Sequence, residues 1–166
     1  VEEVLRFACQ LRLPPDTNID KVIGNTLDQI KLSHVQNTLV SSLSGGQRKR
    51  VSIGVELLAD PKLFFLDEPT SGLDPGLDKE MMQLLREQAD RGRTIALVTH
   101  ATDNISTCDR IAFMGLGGKL CYYGPPDEAL PFFQRHKGQF EDEQFDDFAD
   151  IYIELNKGKN KSAIAE

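Results

Sequence analysis

The sequence predicts an α/β fold, a parallel sheet covered by helices, on two observations. Two runs of strand-forming residues, Lys62–Asp67 and Thr94–Thr99, are separated by a stretch with helical apolar spacing. Strands that alternate with helices build parallel sheets, because a parallel crossover needs a helix to bring the chain back. The first run sets four consecutive apolar residues, Leu63-Phe64-Phe65-Leu66, ahead of Asp67-Glu68-Pro69, and a continuous apolar run is what a strand buried on both faces requires.

Each element follows from spacing and end signals. Val1–Leu13 predicts a helix with Val4, Leu5, Ala8 and Leu11 on one face, stopped by Pro14-Pro15. Asn18 or Asp20 can open a second helix, in which Val22, Ile23, Leu27 and Ile30 recur at helical intervals to about Leu32. Residues 33–43 are polar and lead to Ser44-Gly45-Gly46, the start of a third helix with Val51, Val55 and Leu58 inward. After the strand 62–67, a helix over 77–89 turns Leu77, Met81, Leu84 and Leu85 inward and stops at Gly92. Thr94–Thr99 is the next strand. Residues 109–114 and 119–123 predict a hairpin through Gly115-Leu116-Gly117-Gly118, set at the edge of the sheet. A helix follows Gly124-Pro125-Pro126 to about Arg135, and an amphipathic helix over 146–155 precedes a polar linker.

The 166 residues are enough for one compact core and tight for two, and 40% hydrophobic with 27% charged is ordinary globular composition. A net charge of −7 argues against a nucleic-acid surface, since phosphate backbones draw basic faces. Cys9, Cys108 and Cys121 are far apart and lack metal-ligand spacing, which reads as buried thiols in a reducing compartment. No apolar run reaches 18 residues, so no membrane span is expected within the chain. The triplet Arg48-Lys49-Arg50 reads as a solvated helix face.

The chemistry concentrates at two points. Adjacent strand residues face opposite sides, so Asp67 and Glu68 can serve one phosphate only if the strand ends between them. Pro69 favours that ending, because it disfavours helix at Glu68 and cannot extend the ladder. Asp67 would then hold Mg²⁺ through water, and Glu68 would orient and deprotonate an attacking water. At the second point, Ser44-Gly45-Gly46 offers a hydroxyl, free backbone N–H groups and the positive end of a helix dipole, which are ligands for an anion. Both arrangements suit a nucleotide. No phosphate loop of the form G-x-x-x-x-G-K-[ST] occurs between Val1 and Glu166.

Leu43-Ser44-Gly45-Gly46-Gln47 resembles the signature motif of the ATP-binding cassette (ABC) family. Leu63–Glu68 is similar to that family's Walker B strand, Ser71-Gly72-Leu73-Asp74 to its D-loop, and His100 to its switch histidine. Arg48–Ile53, Gly117-Gly118-Lys119 and Tyr122-Tyr123-Gly124-Pro125 resemble the G (white-type) subfamily, in which the cassette precedes the membrane domain.

The resemblance implies a partial P-loop NTPase core. Residues 1–43 would complete a helical subdomain, 44–135 would form the second half of the ATPase core, and 136–166 a terminal helix and linker toward a transmembrane domain. It further implies that Ser44, Gly45, Gly46 and Gln47 meet the γ-phosphate of ATP held by a second cassette. Glu68 would be the catalytic base, Asp67 the magnesium partner, His100 a γ-phosphate sensor and Asp74 a cross-dimer contact. The expected setting is the cytoplasmic face of a membrane, in a cassette dimer that drives transport, with ATP and Mg²⁺ as cofactors and no nucleic acid as partner. The 166 residues alone are expected to neither bind ATP tightly nor hydrolyse it. Two other readings are a non-transport cassette ATPase and a non-catalytic interaction piece.

Overall fold

A computed structural model describes residues 1–136 and 145–156. The chain divides into two compact units, Val1–Thr99 and His100–Glu166. The division falls inside the stretch 44–135.

The first unit opens with α1 (Glu2–Arg12), whose Glu2 and Glu3 sit in the first turn and Arg12 in the last, each where its charge suits the helix dipole. Asn18 caps α2 (Ile19–Gln29), its side chain accepting from the Lys21 N–H at 3.0 Å. This helix stops earlier than its apolar spacing suggests. Lys31 takes a left-handed φ of 60°, the Lys31 N–H bonds Asp28 O and the Leu32 N–H bonds Leu27 O. That pair of bonds is a Schellman ending, usually built on glycine; here it turns Leu32 into the core at 1% exposure.

Two single turns of 3₁₀ helix, Ser33–Val35 and Val40–Ser42, lead to α3 (Gly45–Leu57). Its inner face carries Val51, Ile53, Gly54 and Leu57, with Leu58 buried just beyond, while Val55 is only half-buried. The contact surface is therefore rotated from the expected one. Gly54 lies on that surface and permits close approach: a Cβ there would stand 2.8 Å from Cδ1 of Ile30, the C-cap of α2, and 3.5 Å from Cγ2 of Thr26 on α2.

Strand β1 (Leu63–Asp67) pairs in parallel with β2 (Thr94–Val98), from Leu63 opposite Thr94 to Asp67 opposite Val98. Between them runs α4 (Pro75–Asp90), which buries Met81, Met82, Leu84 and Leu85 and half-buries Leu77. Gly92 then turns the chain at φ 90°. One expectation fails here. The apolar run of β1 is not buried on both faces, because Phe64 is 5% exposed whereas Leu63 and Phe65 are 50% and 77% exposed. Their register partners Thr94 and Ala96, and Val98 opposite Asp67, lie on the same open side. Among the described residues nothing covers that side of the sheet.

The second unit carries the hairpin of β3 (Ile111–Gly115) and β4 (Lys119–Gly124), turned through Gly117 and Gly118 at φ 76° and 73°. A register shift after Phe113 leaves Cys121 as a bulged residue. α5 (Pro126–Arg135) and α6 (Phe148–Asn156) close a core with Phe113, Tyr122, Phe133, Phe145, Ile151 and Leu155. Phe113 and Phe133 meet edge to face at 5.7 Å. The expected single sheet with the hairpin at its edge is not formed: among the described residues the parallel pair and the hairpin are separate two-stranded sheets. The terminal helix forms where its spacing places it, and the polar linker beyond it lies outside the described residues.

Candidate functional site

The signature segment folds as a helix start with a reciprocal cap. Ser44 Oγ accepts from the Gln47 N–H at 3.2 Å, and Gln47 Oε1 accepts from the Ser44 N–H at 3.0 Å. Gln47 thus spends its side-chain oxygen inside the cap. The Ser44 hydroxyl, having accepted, still has its own proton to donate. Gly45 is exposed, and a Cβ on it would meet nothing within 4 Å. Gly46 is buried, and a Cβ there would touch Leu77 and Leu73 at 3.5–3.9 Å.

The carboxylate pair is arranged by the end of β1. Asp67 closes the strand and is exposed. Glu68 follows with φ 48°, while its N–H is held 2.9 Å from Val98 O. A left-handed φ at a residue other than glycine or asparagine is uncommon and persists only where neighbours hold it. The strand therefore ends between the two acids, as a shared task for them requires. Pro69 and Thr70 are buried behind the turn, and the Ser71 N–H returns to Glu68 O at 3.2 Å.

Asp74 is the cap of α4. Its Oδ1 accepts from the Gly76 and Leu77 N–H groups at 3.0 and 3.1 Å, with Pro75 as the first helical residue. Its carboxylate remains exposed.

The basic triplet is not a solvated face. Lys49 Nζ donates to the backbone carbonyls of Ser71 and, at 3.4 Å, of Glu68. Arg50 pairs with Glu80 on α4, its side chain only 12% exposed; Arg48 alone is exposed. Local spacing could not reveal these bonds, since Lys49 and Ser71 stand 22 positions apart. Gly46, Lys49 and Arg50 thereby seat the start of α3 on the segment from Glu68 to Glu80. Ser44–Gln47 and Asp67–Asp74 are joined within one unit. His100, exposed, begins the other unit two positions after β2 ends.

The donor set fits a phosphate and its magnesium. Mg²⁺ keeps several waters and is commonly bound by one or two carboxylates plus substrate phosphates, not by an all-protein cage. Asp67 supplies such a carboxylate, and among the described residues no cluster of three or more acids, histidines or cysteines forms a cage. The Ser44 hydroxyl and the uncrowded Gly45 backbone, at the positive end of a helix, suit an anion.

Comparison with known proteins bears on the same segments. The family model for ABC transporters matches residues 3–71. The chain belongs to the ABC transporter family. The ABC transporter ATP-binding/permease protein Rv1747 of Mycobacterium tuberculosis is 46% identical over 134 residues, covering 79% of this chain and 16% of that protein. ABC transporter G family member 5 of Oryza sativa is 38% identical over 80% of this chain and 18% of its own length. The broad substrate specificity ATP-binding cassette transporter ABCG2 of Bos taurus is 33% identical over 99% of this chain and 26% of its own. The chain spans about a fifth of the length of these relatives. Among solved structures, cbiO1 from Clostridium perfringens, part of the ABC transporter complex cbiONQ, aligns with a TM-score of 0.68 at 32% identity, over 79% of this chain and 55% of that one. The fold is that of a partial P-loop NTPase.

Proposed function

We propose that these residues form part of the ATP-hydrolysing motor of a G-type ABC transporter. The observation that carries the reading is the turn at Glu68. It departs from the strand immediately after Asp67, in a left-handed conformation fixed to Val98 O. Two adjacent acids are thereby released to one edge of the parallel pair, which suits a base beside a metal-linked phosphate. Magnesium, when bound, would supply positive charge that neutralises phosphate. Asp67 would hold the metal, and Glu68 would accept the proton of the attacking water.

Ser44, Gly45 and Gly46 act on a nucleotide held by a second cassette, with Gln47 supporting them through the cap. His100 senses the γ-phosphate, and Asp74 joins a cross-dimer contact while capping α4. In this reading residues 1–43 belong to a helical subdomain, 44–135 to the ATPase core, and 136–166 lead toward a membrane domain. No helix among the described residues is long and apolar enough to cross a membrane. In this reading the segment works at the cytoplasmic face of a membrane. The phosphate cradle would also come from outside these residues.

The test is ATP turnover by the full-length protein that contains them. Glu68→Gln is expected to lower kcat by roughly 10²–10⁴-fold while nucleotide affinity stays within a few fold. Unchanged turnover in that variant would remove Glu68 from the chemistry and overturn the reading.

A further inference from the structure

We propose that Lys49 is a positioning residue that binds the turn carrying Glu68 to the helix that carries Ser44 and Gly45; the proposal rests on the functional reading above. Lys49 is half-buried, one turn into α3 beyond the cap. Its ammonium faces two carbonyls of one turn, Glu68 O and Ser71 O, 19 and 22 positions away in the chain. Glu68 O also accepts the Ser71 N–H, so the peptide after the strained residue is gripped from two sides.

The geometry answers a physical need. A left-handed glutamate relaxes unless its surroundings hold it, and its N–H bond to Val98 O fixes only the near side of that residue. Lys49 supplies the far side. A lysine does this with three donors on a long stem, and bonds from a charged donor are the stronger kind. Gly46 and Arg50 contribute to the same seat, against Leu73 and Leu77 and against Glu80, but neither reaches the carbonyls around Glu68.

The arrangement has a consequence for a dimer. In the proposed motor the tip of α3 meets the partner's nucleotide, whereas Glu68 acts on the chain's own. A rigid connection between them makes the two nucleotide sites report to one another, and Lys49 is the side chain that closes that connection.

The experiment uses Lys49→Met, which keeps the stem and removes the charge, Lys49→Arg, and Arg48→Met as the exposed neighbour. ATP turnover is measured on the full-length protein, with amide exchange of peptides covering Glu68 to Leu73. Lys49→Met is expected to lower kcat about 10- to 100-fold, the scale of a slightly misplaced catalytic group, with KM for ATP within about threefold. It should also speed exchange at Ser71 and reduce cooperativity between nucleotide sites. Lys49→Arg should restore most of the rate, and Arg48→Met should leave rate and exchange unchanged.

Unaltered exchange in Lys49→Met overturns the grip. Faster exchange with unaltered kcat overturns the catalytic role, as does a rate loss that Lys49→Arg does not relieve. Absence of turnover in the wild-type protein overturns the functional reading instead, and exchange at Ser71 then still decides whether Lys49 holds the turn.

Discussion

Helices α3 and α4 start with the same geometry and opposite electrostatics. Ser44 caps α3 through a hydroxyl, with no acid in the first turn, whereas Asp74 caps α4 through a carboxylate, with Asp78 one turn in. A helix N-terminus carries about half a positive charge. In α4 the cap neutralises it; in α3 a neutral cap, two glycines and no nearby acid on the helix leave it available. On the proposed reading, two helix starts within thirty residues of each other would differ, the one at Ser44 left open to an external anion and the one at Asp74 closed by its own cap. Motif reading alone assigns both to nucleotide contact.

The comparison breaks most visibly at Gly45. Gly45→Asp places a carboxylate where the proposed phosphate docks, at a position where a Cβ meets nothing within 4 Å. Turnover of the full-length protein should fall by roughly 100-fold or more, while melting stays within about 0.5 kcal/mol of wild type. A large loss of stability would mean that Gly45 serves folding.

Gly54, on the same helix, should behave in the opposite way. Its missing Cβ would lie 2.8 Å from Ile30 Cδ1, so Gly54→Val should destabilise by about 1–3 kcal/mol through overpacking, read by denaturant unfolding. Smaller still are the caps. Asp74→Ala should cost about 1–2 kcal/mol and Ser44→Ala about 1 kcal/mol, because Asp74 accepts two N–H bonds and Ser44 one. Equal costs would erase the proposed division of labour.

Alkaline pH gives the smallest effect and the baseline for the others. Burial raises the Cys9 and Cys121 thiols above their ordinary 9.0 and the Tyr122 hydroxyl above 10.0. Groups whose folded pKa is raised stabilise the fold below their unfolded values and cease to do so as pH rises through the folded ones. Melting temperature should therefore hold to about pH 9 and decline beyond it.

Much of this was legible in the residues. The order of helices and strands followed from apolar spacing and from Asn18, Ser44 and Gly92 at element ends. The break between Asp67 and Glu68 followed from strand geometry and Pro69. Other features were not legible, each for a physical reason. Four apolar residues in a row do not tell whether both faces of a strand are covered, and Leu63 and Phe65 are not. Separate sheets arise from long-range ladders that local pattern does not encode. The bonds of Lys49 depend on which distant carbonyls reach its ammonium, and a basic triplet reads alike whether solvated or engaged. The role proposed for His100 rests on resemblance, since an exposed histidine after a strand has no local signal of its own.

On the proposed reading, the left-handed backbone at Glu68 sets robustness against activity. That conformation costs an ordinary residue about 1–2 kcal/mol and asparagine less, so Glu68→Asn should yield a sturdier chain with no proton acceptor. Selection for heat tolerance alone would enrich this inert form, and any engineering campaign on the cassette must score turnover alongside survival.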